Sequence, residues 1–93
     1  MKLKEIIKRN YKATVRRGQI SKKTSFVDFY LKTEEEFDEL KMSTRTSNIY
    51  PFDPKEAIDI ILVQFSMLYH YNVDVDIEKL LIEKVLFNEK RED

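Results

Sequence analysis

The feature that most constrains this chain is its near lack of helix breakers, with one glycine and two prolines among 93 residues. Glycine and proline are the residues that most strongly interrupt regular secondary structure. The long segments between them carry apolar residues at helical spacing, which favours helices over strands. We therefore predict an all-α fold: one domain spanning residues 1–93, in which four helices pack as a four-helix bundle.

Local sequence signals predict where each helix begins and ends. Gly18 is a plausible end of the first helix, because glycine tolerates the left-handed conformation that ends helices. Ser25, with Asp28 three residues later, approximates a capping box for the second helix. Asp53 and Asp76 are the predicted N-caps of the third and fourth helices. The four helices are predicted at about 2–17, 25–43, 54–71 and from 77 to the charged C-terminal end.

Apolar residues cover one face of the second helix and two faces of the third. On the third helix, Ile60, Val63 and Met67 lie opposite the main apolar face, and a helix that is apolar nearly all round is buried on both sides. We predict a homodimer or homotetramer with these three residues near the subunit contact. The predicted buried stripe of the second helix is Phe26, Phe29, Tyr30, Thr33, Phe37 and Leu40.

After the third helix, apolar and polar residues alternate in 72–76. This alternation suggests a short strand, but only weakly because the segment is short.

Charge is divided sharply along the chain. Residues 1–23 carry nine Lys/Arg and one Glu, a formal charge of +8, and residues 24–93 carry eight Lys/Arg and sixteen Asp/Glu, a formal charge of −8. The basic segment suits nucleic acid, a smaller polyanion or the acidic half of another copy, and nucleic acid is the less favoured partner. A non-catalytic nucleic-acid-binding or helical interaction module is therefore the main alternative to an enzyme.

Several classes of site and location are excluded or disfavoured by composition. The chain has no cysteine, which excludes disulfides, thiolate metal sites and a cysteine nucleophile. No apolar run approaches the roughly 20 residues that cross a membrane. The charged start has no apolar signal-peptide core, so we expect a cytoplasmic protein without membrane contact.

Two predicted helices carry acidic pairs at i, i+3: Glu36 with Glu39, and Glu56 with Asp59. At about 100° per residue, Glu36 and Glu39 lie roughly 70° and 130° from the centre of the apolar stripe, on its flank. Four carboxylates meeting in the groove beside that flank would repel one another, and a hard divalent cation such as Mg²⁺ relieves this. The alternatives are a solvated charge run on the second helix and, for Glu56, a capping-box partner of Asp53.

The predicted fourth helix becomes polar on its inward face near its end. Lys84, Asn88 and Arg91 continue the stripe begun by Leu80 and Leu81. A lysine, an amide and a guanidinium beside carboxylates suit a phosphate-bearing ligand. The alternative is that these cations only complement the dipole at a helix C-terminus.

In this order, the elements resemble the MazG-like nucleoside triphosphate pyrophosphohydrolases of the all-α NTP pyrophosphatase superfamily, in a compact, phage-type, single-domain form. The resemblance covers roughly residues 15–93. Glu56-Ala57-Ile58-Asp59 is similar to the ExxD element of that family. Three further elements also resemble that family. They are the stretch Arg17-Gly18-Gln19-Ile20 with Thr24 and Phe29 ahead of Lys32, the EExxE-like Glu35-Glu36-Phe37-Asp38-Glu39, and Lys84 followed by Asn88 and Arg91.

The resemblance implies hydrolysis of a nucleoside triphosphate, (d)NTP, to the monophosphate and pyrophosphate, with Mg²⁺ or Mn²⁺ as cofactor. It implies Glu36, Glu39, Glu56 and Asp59 as metal ligands and Lys84, Asn88 and Arg91 as phosphate contacts. Lys32 is a further phosphate contact or orients Glu36, and Glu35 is a catalytic candidate that would orient water. A degenerate member that kept only the fold is a third possibility.

The single histidine, His70, lies in a tyrosine-flanked run, and we expect it to be structural. A di-iron site of the ferritin type needs Glu-x-x-His pairs, which the two acidic pairs do not provide.

Overall fold

The computed structural model describes residues 1–46, 51–72 and 76–92, and the described residues form four α-helices and no strand. The all-α prediction is therefore confirmed. The suggested strand at 72–76 falls mainly on 73–75, outside the described residues. None of the described helices is long and apolar enough to cross a membrane. The helices are α1 (Leu3–Arg16), α2 (Phe26–Ser43), α3 (Pro54–Tyr71) and α4 (Ile77–Glu89).

The ends of α1 and the start of α2 follow from local backbone chemistry. Gly18 has a φ of 75°, in the left-handed region that glycine tolerates. Its N–H donates to Val15 O and the N–H of Gln19 donates to Thr14 O, which completes a Schellman motif after α1. At the next helix, Ser25 and Asp28 form the predicted capping box.

Two helices, α1 and α2, pack on α3. Asn10 on α1 donates to Ser66 on α3 at 3.2 Å, and the Tyr11 and Tyr69 rings lie 4.7 Å apart. On its other side α3 faces α2, where Gln64 donates to Thr33 at 2.7 Å. The fourth helix packs on α1. Because α2 and α3 are neighbours, the two acidic pairs lie on adjacent helices.

The predicted inward stripe of α2 was wrong in part. Phe26, Tyr30 and Phe37 are 54–58% exposed, whereas Phe29 is buried and Glu36 is only 6% exposed. The inward face of α2 therefore contains Glu36 itself, and the flank position predicted for it was wrong. Apolar residues lie on several sides of α2, so their average direction does not identify the side that meets α3. The observed inward face is Phe29, Thr33, Glu36, Leu40 and Ser43.

The subunit contact predicted for three residues of α3 stays a prediction. Ile60, Val63 and Met67 are half-buried within the chain, on the turns that follow Glu56 towards α2. The large aliphatic residues that α3 exposes are Ile58 and Ile61. A helix between two neighbours buries opposite sides against them, which accounts for both apolar faces without a second copy.

The arrangement is open. The radius of gyration is 15.2 Å, whereas a compact domain of this length has about 12 Å. Six large apolar residues of α4 are 43–58% exposed. At about 100° per residue these six positions are distributed around most of α4, so the described part of the chain leaves apolar side chains exposed on several sides of this helix. These residues are Leu80, Leu81, Ile82, Val85, Leu86 and Phe87.

Candidate metal centre

Three of the four predicted metal ligands meet where α2 faces α3. Glu36 from α2 and Glu56 and Asp59 from α3 each place one carboxylate oxygen within 4.8 Å of the other two. We call these three residues the carboxylate cluster. One member of the α2 pair and both members of the α3 pair therefore converge from adjacent helices.

Two buried oxygens of the carboxylate cluster have no hydrogen-bond partner among the described residues. They are Glu36 Oε2 and Glu56 Oε2. An unpaired buried polar atom costs about 1–3 kcal/mol, and more if it is charged. A hard divalent cation prefers oxygen ligands and would satisfy both atoms. The donor set therefore fits Mg²⁺ or Mn²⁺ by its chemistry.

The fourth predicted ligand, Glu39, lies at the exposed edge of the carboxylate cluster. The negative charge of Glu36 raises the pKa of Glu39, and partial desolvation, a hydrogen bond with Glu36 and the charge of Glu56 act in the same direction. Lys32 opposes this shift. The pKa of Glu39 is therefore affected by carboxylates on both α2 and α3. Glu39 is not one of the three residues of the carboxylate cluster.

Glu56 does not serve as the capping partner of Asp53. The side chain of Asp53 accepts from the N–H of Lys55 at 3.0 Å, and the N–H of Asp53 donates to Ser43 Oγ at 2.9 Å. The group that a capping-box glutamate would bind is therefore already occupied. This contact was not predicted, since it joins the end of α2 to the start of α3 across the intervening loop.

Lys32 lies beside the carboxylate cluster, as predicted. Its Nζ is 3.2 Å from Glu36 and 3.6 Å from Glu35. Partial burial lowers the pKa of Lys32, but the hydrogen bond with Glu36 and the charges of Glu36, Glu35 and Glu39 together raise it. Lys32 thus stays cationic, and it joins Glu35, the predicted catalytic candidate, to the cluster.

A cavity of about 280 Å³ adjoins this lysine, between the α1–α2 connection, α2 and α3. Ile20, Phe29, Leu31 and Val63 form apolar walls, and Gln19, Thr24, Asp28, Lys32 and Glu35 supply polar groups. Its volume is at the small end of the range of ligand sites. Lys32 lines the cavity and also contacts Glu36, so this lysine adjoins both the cavity and the carboxylate cluster.

Two of the predicted phosphate contacts, Lys84 and Asn88, lie on α4, which packs on α1, and Arg91 follows the end of this helix at Glu89. Lys84 Nζ lies 5.0 Å from the centre of the Phe87 ring, and the backbone N–H of Arg91 donates to Asn88 O. No ion pair of the described residues joins Lys84 to the carboxylate cluster. The role of these three residues stays a prediction.

His70 is held by two hydrogen bonds, consistent with the structural role expected for it. Its Nδ1 is 2.7 Å from Tyr11 Oη, and its Nε2 is 3.1 Å from Thr24 O. A carbonyl oxygen only accepts, so Nε2 carries the proton and Nδ1 accepts from Tyr11. The histidine thus ties α1 and the α1–α2 connection to α3.

Comparisons with models of known protein families, with curated proteins and with solved structures found no match for this chain.

Proposed function

We propose that this chain is a Mg²⁺-dependent nucleoside triphosphate pyrophosphohydrolase with a MazG-like all-α fold. The observation that carries the proposal is the carboxylate cluster, in which two buried oxygens lack partners. Glu36 is buried, Glu56 is half-buried and Asp59 is exposed, and Lys32 is the one cation paired with them among the described residues. Three converging carboxylates with one lysine leave an excess of negative charge, which a divalent cation would offset. The order of the acidic pairs along the chain, which resembles that family, supplies the reaction type.

Glu36, Glu56 and Asp59 would hold the cation, and Glu39 would complete the set from the exposed edge. Bound Mg²⁺ supplies neutralisation of triphosphate charge and lowers the pKa of a coordinated water. Water adds at the α–β anhydride, the bridging P–O bond breaks, and the products are a nucleoside monophosphate and pyrophosphate. Glu35, which is exposed and close to Lys32, is the proposed residue for orienting that water.

The cavity beside Lys32 would take the nucleoside end of the substrate. Its apolar walls, Ile20, Phe29, Leu31 and Val63, suit a base or sugar, and Lys32 lies between the cavity and the carboxylate cluster. A lysine at that position would contact phosphate oxygens as a point charge. This orientation would direct the phosphates towards Glu36 and the carboxylate cluster, while Asp28 and Glu35 at the cavity could accept hydrogen bonds from the base or sugar.

We also infer that the chain forms a homodimer or homotetramer. The support is the exposed apolar surface of α4 together with the large radius of gyration. Apolar side chains exposed around most of a helix favour an interaction site. A second copy packed on α4 would cover its exposed apolar residues. That contact would allow Lys84, Asn88 and Arg91 of one copy to lie near the carboxylate cluster of the other.

The function is tested by incubating the protein with a panel of NTPs and dNTPs in Mg²⁺ and identifying the products. We expect pyrophosphate and a monophosphate from at least one substrate, and loss of activity in Glu36→Gln. Asp38→Asn is the matched control, because Asp38 is an exposed carboxylate on the same helix outside the cluster. Orthophosphate as the product, or hydrolysis that Glu36→Gln leaves intact, would contradict the proposal.

A further inference from the structure

The solvent-facing side of α1 is strongly basic. Lys8, Arg9, Lys12 and Arg16 are all exposed, and we call these four residues the α1 basic face. Lys8, Lys12 and Arg16 follow one another at intervals of four residues, about 6 Å along the helix axis. The only acidic residue in 1–23 is Glu5, which lies 3.8 Å from Arg9. The ion pairs of the described residues leave Lys8, Lys12 and Arg16 without a carboxylate partner.

The opposite side of α1 is already occupied by contacts within the chain. Ile7 is 3% exposed, Asn10 donates to Ser66, and Tyr11 contacts His70. A basic amphipathic helix that binds a lipid surface inserts its apolar side. The apolar side of α1 is committed to the fold, so this helix offers a ligand its charges rather than apolar area.

We propose that the α1 basic face binds the phosphate backbone of nucleic acid, as a second binding surface separate from the carboxylate cluster. Cations on successive helical turns can contact successive phosphates without reading bases, so binding is independent of sequence. The acidic part of a second copy is a weaker candidate, because the four residues include no aromatic or methionine anchor, although arginine itself is enriched at protein–protein interfaces.

The test measures binding of the full chain to a fluorescent single-stranded oligonucleotide of about 20 nucleotides at several salt concentrations. EDTA keeps divalent cations from the carboxylate cluster and prevents hydrolysis. If four cations neutralise phosphates, the slope of log K against log salt is about −3. The triple variant Lys8→Gln/Lys12→Gln/Arg16→Gln is expected to reduce the slope to about −1 and to weaken binding at least about tenfold at low salt.

The matched control removes the same charge elsewhere, in Lys41→Gln/Lys79→Gln/Lys90→Gln, whose positions are all exposed. We expect this control to retain the steep salt dependence, and circular dichroism to show that both variants stay helical. Equal loss in the two triple variants would overturn the proposal. It would also be overturned if wild type bound anionic phosphatidylserine vesicles but no nucleic acid, or if the α1 substitutions only dissociated an oligomer in sedimentation.

Discussion

Ser43, the last residue of α2, accepts a hydrogen bond from the backbone N–H of Asp53, the N-cap of α3, at 2.9 Å. The hydroxyl of Ser43 also donates to Leu40 O at 2.6 Å, and the residue is buried. This contact joins the two helices that carry the carboxylate cluster. It also occupies the N–H that Glu56 would bind in a capping box, so the Glu56 carboxylate stays available to the cluster.

Ser43→Ala should therefore affect both stability and metal binding. The substitution leaves the Asp53 N–H without its acceptor, which should lower the free energy of unfolding by about 1–3 kcal/mol. It also allows Glu56 to turn back towards Asp53, so the affinity for Mg²⁺ should fall. Urea unfolding with and without Mg²⁺ measures both effects. Thr44→Ala, at an exposed hydroxyl that donates to Lys41 O, is the control and should change stability by less than about 0.5 kcal/mol.

The raised pKa of Glu39 predicts a pH dependence of the metal-free protein. Glu36 raises the pKa of Glu39 above its unfolded value, so the folded state binds more protons in that interval and stability falls as pH rises through it. The interval begins at the ordinary glutamate pKa and extends upward. Melting temperatures in EDTA should therefore decline as the pH rises above about 4. Glu39→Gln should reduce that decline, and Asp38→Asn should leave it unchanged.

Tyr11→Phe should destabilise the fold without altering the response to Mg²⁺. The substitution removes the donor to His70 Nδ1, while Thr24 O keeps its contact with Nε2. We expect a loss of about 0.5–1.5 kcal/mol, typical of a neutral hydrogen bond. Tyr30→Phe is the control, because it removes a hydroxyl whose hydrogen bond with Glu34 lies at the exposed surface of α2. A Mg²⁺ response that fell in Tyr11→Phe would show that this hydrogen bond supports the metal site as well.

Leu86→Glu should weaken self-association. Leu86 is 51% exposed on α4, and a charge there would have to be buried in any contact between copies. Sedimentation velocity should show a dimer or larger species for wild type and a monomer for the variant. Lys79→Glu, at an exposed polar position on the same helix, should remain associated. A wild-type monomer at tens of micromolar protein would contradict the oligomer.

The helix boundaries followed from sequence because their causes are local. The capping box of Ser25, the left-handed Gly18 and the N-caps Asp53 and Asp76 each act within a few residues. The inward face of α2 could not be predicted from the sequence. Phe26 and Phe37 indicated one side of the helix, whereas a different side packs against α3. The spacing of apolar residues gives only their average direction around the helix. Glu36 is buried because it lies on the side of α2 that packs against α3.

The candidate site, like the fold, could be predicted from the sequence only in part. The spacing of the acidic pairs placed Glu36, Glu56 and Asp59 on helices that do converge. The contact of Ser43 with Asp53 and the cavity beside Lys32 were not predictable, since both depend on how connecting segments pack against the helix pair. The phosphate roles of Lys84, Asn88 and Arg91, the substrate and the cytoplasmic location stay predictions.

The most direct test of the metal centre is the melting temperature of wild type and Glu56→Gln, each with and without Mg²⁺. Mg²⁺ bound to the folded state at a hundredfold excess over Kd should stabilise wild type by about 2.7 kcal/mol, and each kcal/mol raises the melting temperature by about 4–8 °C in a domain of this size. Glu56→Gln relieves carboxylate repulsion, so it should melt at the same or a higher temperature without metal and lose most of the Mg²⁺ response. Glu78→Gln, in the first turn of α4, controls for loss of a helix-start charge and should keep the wild-type response. A Mg²⁺ response in Glu56→Gln equal to that of wild type would remove Glu56 from the site and contradict the metal centre.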